Sequence, residues 1–291
     1  MTSPEAEVEI WRRAGRIGAA ARELGAGLLR PGAGRRDVAE EVERYIRTQG
    51  ALPAFPVNLS INDEAAHYTP SPEDDRRFRE GDLVKVDVGA HVDGHISDTA
   101  VTVEIGSSRH GALRQACRDA LAAAEGKVRD GVPIETLSAA IETAIHARGL
   151  KPVRNLTGHT IEPYLLHAGT SIPNATGMSS GELRAGQVVA IEPFATNGKG
   201  EIRNGPFGNI VRFRGPPSPE RAPELAELYR RFSTLPFCAR WVADEDLREI
   251  LLRSRRYLQT YPVFVEEGRG MVAQAEHTLW VREDGAEILT P

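Results

Sequence analysis

A pattern repeated at an offset of 99 residues governs the first half of this chain. Residues 30–52 and 129–151 align so that Gly32 meets Gly131, Val38 meets Leu137, Val42 meets Ile141, Ile46 meets Ile145 and Gly50 meets Gly149. Apolar positions four apart predict a helix with one buried face in each copy, closed by a glycine acting as C-cap. An Ala-rich helical stretch precedes each copy, over 6–29 and 109–128. A strand-like stretch carrying histidine follows: His67 after the first copy, His159 and His167 after the second. Two related α+β halves facing one another form a cleft, with these histidines in equivalent parts of the two halves.

Residues 83–103 carry the clearest strand signal, apolar and polar residues alternating around a Gly/Asp turn, which predicts a hairpin. A turn centred between Val92 and Asp93 sets Asp87 directly opposite Asp98, both on one face. Like charges paired across a sheet are destabilising, so something must compensate them, and a shared cation is the economical candidate. Three more metal-binding side chains sit on strands or strand edges: His159, Glu192 after the apolar run of GQVVAIEPF, and Glu276 in the C-terminal strand segment. Four carboxylates and one imidazole cannot share a small site as free groups without raising some of their pKa values. Divalent cations such as Mn, Co, Fe or Zn suit that donor set. A metal pair about 3.5–4 Å apart activates water and clamps a reacting oxygen, which points to hydrolysis.

After RFRGPPSP the character changes. Residues 215–260 are rich in Glu, Arg, Leu and Ala with helical spacing, and strand character resumes at Tyr261. This stretch is expected to be a helical insertion within a single domain spanning 1–291. The net charge of −5 does not suggest nucleic acid as the main partner. Cys117 and Cys238 form neither a disulfide framework nor a metal-type pair, which fits a reducing cytoplasm. The N-terminus has no apolar core of a signal peptide, and no run of about 18 apolar residues could span a membrane.

Five segments in order carry a resemblance: FPVNLSINDEAAHYTP (55–70), VKVDVGAHVDGHISDTAVTVEIG (84–106), NLTGHTIEPYLLHAGTSIPN (155–174), VVAIEPFATNGKGEIRNG (188–205) and YPVFVEEGRGMVAQAEHTL (261–279). They resemble the type II methionine aminopeptidases, most closely the short archaeal form, nearly end to end. The resemblance implies an α+β pita-bread fold, two pseudo-twofold halves around a curved antiparallel sheet, with the helical insertion typical of type II. It also implies two divalent ions (Co, Mn, Fe or Zn). Asp87 would chelate one, Asp98 and Glu276 would bridge both, and His159 and Glu192 would complete the second. Water held between them would be the nucleophile, Glu192 its proton shuttle, and the substrate's free α-amine would bind at a metal. His167 would hydrogen-bond the substrate carbonyl and His67 would contact the scissile amide. Phe55, Leu166, His167, Phe194 and Tyr261 fall where the family lines its methionine pocket. The implied substrate is the initiator Met of nascent chains with a small second residue. A monomer in transient association with the ribosome is the implied form, with no membrane or specific nucleic acid as partner.

Two alternatives share the scaffold. An X-Pro aminopeptidase or prolidase would use the same five ligands, but commonly with a large N-terminal domain that this length leaves no room for. A non-catalytic RNA- or ribosome-binding relative would have lost ligands. The chain departs from the family pattern at Ala275, where a Phe is usual and its loss removes bulk behind Glu276, at Leu166 and at His95. His91 and His95 flank the turn and are expected at the surface, and His110 and His146 in solvent. His277 is expected on the opposite face to Glu276, and the glycines of NGKGEIRNG to form a hairpin loop.

Overall fold

A computed structural model describes residues 4–254 and 256–291. The repeat is present at the level of single residues. Helices Arg35–Thr48 and Ile134–His146 bury Val38, Ala39, Val42 and Ile46 in one case and Leu137, Ser138, Ile141 and Ile145 in the other. These are the aligned positions, and they form one stripe because helical residues four apart share a face. Gly50 and Gly149 leave the helices with φ of 72° and 70°, left-handed backbone that glycine adopts without a steric penalty. Short strands Leu52–Pro53 and Lys151–Pro152 follow at the same offset. Each helix packs beside a longer Ala-rich partner, Pro4–Leu28 or Gly111–Glu125.

The hairpin forms from strands Leu83–Val92 and His95–Glu104, but in a different register from the one expected. Asp87 pairs with Ala100, and Asp98 with Gly89. Asp93 and Gly94 both take positive φ, 48° and 85°, as a two-residue hairpin turn of the primed type requires. The turn therefore centres one residue boundary later than expected, and each residue's partner moves by two. Because side chains alternate with a period of two, Asp87 and Asp98 still share a face, diagonally rather than head-on.

The two halves are stitched along strand His95–Glu104. Ala100 and Glu276 exchange backbone hydrogen bonds of 3.3 and 3.0 Å. Hydroxyls complete the seam: Thr99 donates to the Glu276 carbonyl at 2.8 Å, Thr102 to the Gln274 carbonyl at 2.7 Å, and Thr278 to the Asp98 carbonyl at 2.7 Å. Each satisfies buried backbone that a one-pair bridge would leave unmet. Beyond the seam, strands Thr157–Ile161, Val188–Ile191 and His277–Val281 lie side by side in a five-stranded sheet.

The glycine-rich stretch after Thr196 is not a hairpin loop. Phe194–Thr196 pairs with Val272–Gln274, whereas Ile202–Phe213 pairs with Leu258–Glu266, so the chain crosses between sheets. The glycines let backbone wrap the buried Glu266 carboxylate, which accepts N–H groups from Lys199, Gly200 (3.0 Å) and Gly270 (2.9 Å). A Cβ on Gly198 would lie 2.4 Å from that carboxylate.

Helices Pro223–Phe232 and Glu245–Arg253 pack on a small core of Phe213, Leu225, Leu228, Phe237, Val242 and Leu251. Arg240 anchors this region to the first half through Glu43, at 2.6 and 2.8 Å, and Trp241 Nε1 adds a third bond to the same carboxylate at 2.7 Å. Both side chains of the ion pair are buried, and a buried pair with every oxygen engaged is costly to break on one side only.

His91 is buried rather than at the surface, because the turn folds its ring under Gly94, whose N–H donates to Nδ1 at 3.2 Å. An accepting Nδ1 must be unprotonated, and burial pushes the pKa down to about 4. The unfolded His binds its proton near 6.5, so the unfolded state holds more protons between the two values, and stability falls as pH drops through that window. Wild type is expected to lose on the order of 1–3 kcal/mol from His91 between about pH 7 and about pH 4, and His91→Asn to lose correspondingly less. Equal pH slopes in chemical denaturation would refute this. His95 is half-buried against the Trp11 ring, centroids 5.1 Å apart. His110 is half-buried, with Nδ1 3.1 Å from Glu104 rather than free in solvent, while His146 is exposed as expected. His277 turns away from the site to Glu125, 2.6 Å from Nδ1.

Candidate active site

Between the two halves lies a cavity of about 230 Å³. Its wall includes all eleven residues singled out from the sequence: Asp87, Asp98, His159, Glu192 and Glu276; His67 and His167; and Phe55, Leu166, Phe194 and Tyr261. Asp87 and Asp98 come from the hairpin, His159 from strand Thr157–Ile161, Glu192 from just past Val188–Ile191, and Glu276 from the seam. Donor atoms of Asp98, His159 and Glu276 lie within 4.8 Å of one another. His159 Nε2 is 3.6 Å from Asp98 Oδ2 and 3.6 Å from Glu192 Oε1. Asp87 Oδ1 is buried with no partner.

Among the described residues no Lys or Arg lines the cavity, so no cationic side chain of that wall offsets four carboxyl groups. Burial first, then mutual charge, pushes Asp87, Glu192 and Glu276 well above the ordinary carboxylate range, and burial raises Asp98. Burial holds His159 at about 4, so its ring is neutral and able to ligate. Close carboxyl oxygens that a bound cation would keep ionised, one neutral imidazole and an orphaned Asp87 oxygen fit divalent cations. Gln274, behind them, donates from Nε2 to Glu276 Oε2 at 3.1 Å and reaches Glu192 Oε2 at 3.4 Å.

His167 stacks obliquely on His159, with centroids 4.3 Å apart. Burial, and then the His159 ring, depresses it to about 3, so it presents a neutral ring to the cavity. His67 sits at φ 67°, a conformation that a non-glycine residue holds only when its surroundings enforce it, most often at functional positions. Its ring is wedged between Tyr261 and Phe264, at 5.2 and 4.5 Å, and its Nδ1 is buried and unpartnered. The approach needs glycine at 208, where a Cβ would lie 2.1 Å from the His67 carbonyl oxygen. The apolar wall is Phe55, Leu166, Phe194 and Tyr261, all buried. Phe55 lies on the backbone of Gly89, where a Cβ would meet its ring at 2.2 Å.

Sequence reasoning missed Asn58, Gln274, Ile210, Pro236 and Phe264 as neighbours of the site. Gln274 had a usable signal: two residues before Glu276 in extended chain, it shares that residue's side of the strand. Asn58 had none, since only the strand register pairs it with Asp87. Behind the site, Ala275 borders a second cavity of about 260 Å³ against Leu121 and Ala122 of helix Gly111–Glu125.

Residues 9–283 match metallopeptidase family M24. A methionine aminopeptidase of Archaeoglobus fulgidus is 46% identical over 267 residues, 90% of this chain and 91% of that protein. The crystal structure of a methionine aminopeptidase from Thermotoga maritima superposes with a TM-score of 0.72 at 26% identity, over 99% of this chain and 98% of that one. A thermophilic Arx1 structure reaches a TM-score of 0.84 at 16% identity over 97% of this chain and 90% of that one, a likeness of fold alone. Prolidases share the pita-bread fold, as in the Pyrococcus furiosus enzyme, with a TM-score of 0.64 at 19% identity over 98% of this chain and 64% of that one. The chain belongs to metallopeptidase family M24 and, within it, to the methionine aminopeptidases.

Proposed function

We propose that this chain removes the initiator methionine from nascent proteins whose second residue is small. The observation that carries the reading is one cavity holding both a carboxylate–imidazole centre and a buried aromatic slot. Two divalent ions, drawn from Co, Mn, Fe or Zn, would supply a water that is nucleophilic at neutral pH and a clamp for the carbonyl oxygen. Asp87, Asp98, His159, Glu192 and Glu276 would hold them. Glu192 would take the proton from the attacking water and pass it to the leaving amine. His167 would donate its neutral N–H to the substrate carbonyl as negative charge develops there, and His67 would steady the scissile amide. Phe55, Leu166, Phe194 and Tyr261 would enclose the Met side chain, whose thioether gains from contact with aromatic rings. We read residues 215–260 as an insertion within one catalytic domain, and the site of action as the cytoplasm, on chains leaving the ribosome. Among the described residues no helix is long and apolar enough to cross a membrane.

The test is Met release from Met-Ala-Ser and Met-Leu-Ser peptides, with metal-stripped protein and after adding Co or Mn. Metal-dependent release from the first and not the second is expected. Release of a different N-terminal residue, or none with any metal from folded protein, would overturn the reading.

A further inference from the structure

Of the polar side chains in the cavity wall with no task in the proposed function, Asn58 holds a buried acceptor without a donor, whereas both ends of the Asn155 amide are bonded to Ile202. Asn58 is 4% exposed and sits on strand Asn58–Ile61, paired in register with Asp87. Opposite residues in an antiparallel pair project to the same face, with Cβ atoms roughly 4.5–5.5 Å apart. Its Nδ2 donates to the Pro56 carbonyl at 3.2 Å. That contact fixes which end of the carboxamide is which, since a carbonyl accepts only from the N–H end. Its Oδ1 is buried and has no donor. A buried acceptor left without a donor is costly, and it persists here beside the equally unpartnered Asp87 Oδ1.

We infer that Asn58 reads the free α-amine of the substrate, its Oδ1 accepting a hydrogen bond from an amine N–H. This inference rests on the proposed function. Three observations select an amine as the missing donor. Segment 55–58 runs from Phe55, in the aromatic slot, to Asn58, beside Asp87, and an α-amine branches from the carbon that carries the side chain in that slot. Among the described residues no Lys or Arg lines the cavity, so an incoming amine meets acceptors and no competing cation there. A neutral amide oxygen also adds an acceptor without adding a fifth anion to four carboxyl groups. An N-acylated peptide would bring a carbonyl towards Oδ1, so the same atom would disfavour blocked N-termini.

The test compares binding of L-methioninol and its des-amino counterpart to metal-loaded wild type, Asn58→Leu and Asn58→Ala by calorimetry, together with metal content. Leu keeps the side-chain volume, and Ala removes it. Wild type is expected to prefer methioninol, and both variants to lose roughly five- to ten-fold of that preference, the worth of one hydrogen bond. Des-amino binding, which also reports an intact fold, and metal content should stay unchanged. An unaltered preference overturns the inference while leaving the proposed function standing. A fall in metal content also overturns it, making Asn58 a metal-holding residue. A wild type that neither releases Met nor prefers methioninol overturns the parent reading, and this one with it.

Discussion

Alanine at Asp98 or at Glu276 is expected to cost more than about 100-fold in turnover, since losing even an outer partner of a metal ligand costs roughly 10–100-fold in affinity or activity. These two side chains meet across the seam, 98 on one strand and 276 bonded to Ala100 of the same strand. Stability should move the other way in metal-free protein. Four buried carboxyl groups repel one another, so Asp98→Asn without added metal is expected to unfold no earlier than wild type. With metal added, wild type should gain stability in proportion to the logarithm of metal concentration over its dissociation constant, and the variant should gain much less. Metal content per chain and paired melting curves measure both effects. A variant with wild-type turnover and metal content would end the ligand assignment.

His167→Ala is expected to lower kcat by roughly 10²–10³-fold, the usual loss when a donor to a developing oxyanion is removed, while metal content stays at the wild-type level. The prediction separates His167 from His159, although their rings are only 4.3 Å apart. His159 makes the close approaches to Asp98 and Glu192. His167 lines the same cavity, and the proposed function gives it the substrate carbonyl rather than an ion. Burial and the His159 ring keep His167 neutral down to about pH 3, so it should donate its N–H without titrating across the neutral range. A steep kcat change near pH 6 that disappears in His167→Ala would contradict this. A loss of metal in the variant would make His167 a ligand.

Local rules carried far along this chain. The aligned apolar positions of the two helices became their buried faces, because periodicity of 3.6 is a property of the helix itself and needs no partner to be read. The same holds for the left-handed glycines that end them. Alternation along the hairpin kept Asp87 and Asp98 on one face even though the expected register was off by two, since a shift of two preserves the side on which every residue lies. The turn position itself needed the backbone angles of Asp93 and Gly94.

What the tertiary structure alone decided concerns contacts made at long range. His91 is bonded by Gly94 within its own hairpin, but the neighbours that cover it come from far along the chain: Leu52 pairs with it, and the Tyr164 ring lies 6.0 Å away. The glycines after Asn197 read as a hairpin loop from composition, but Glu266, 67 residues beyond Lys199, determines their conformation by drawing their N–H groups around its carboxylate. Asn58 looks like an ordinary polar residue in a strand until the register places it beside Asp87. The sequence by itself determined which residue types face inward, because side-chain direction follows from backbone period. Only the folded chain decided which inward-facing groups are satisfied, because a hydrogen-bond partner is chosen by proximity in space, and the two halves that supply partners here meet only when the sheet closes across the seam.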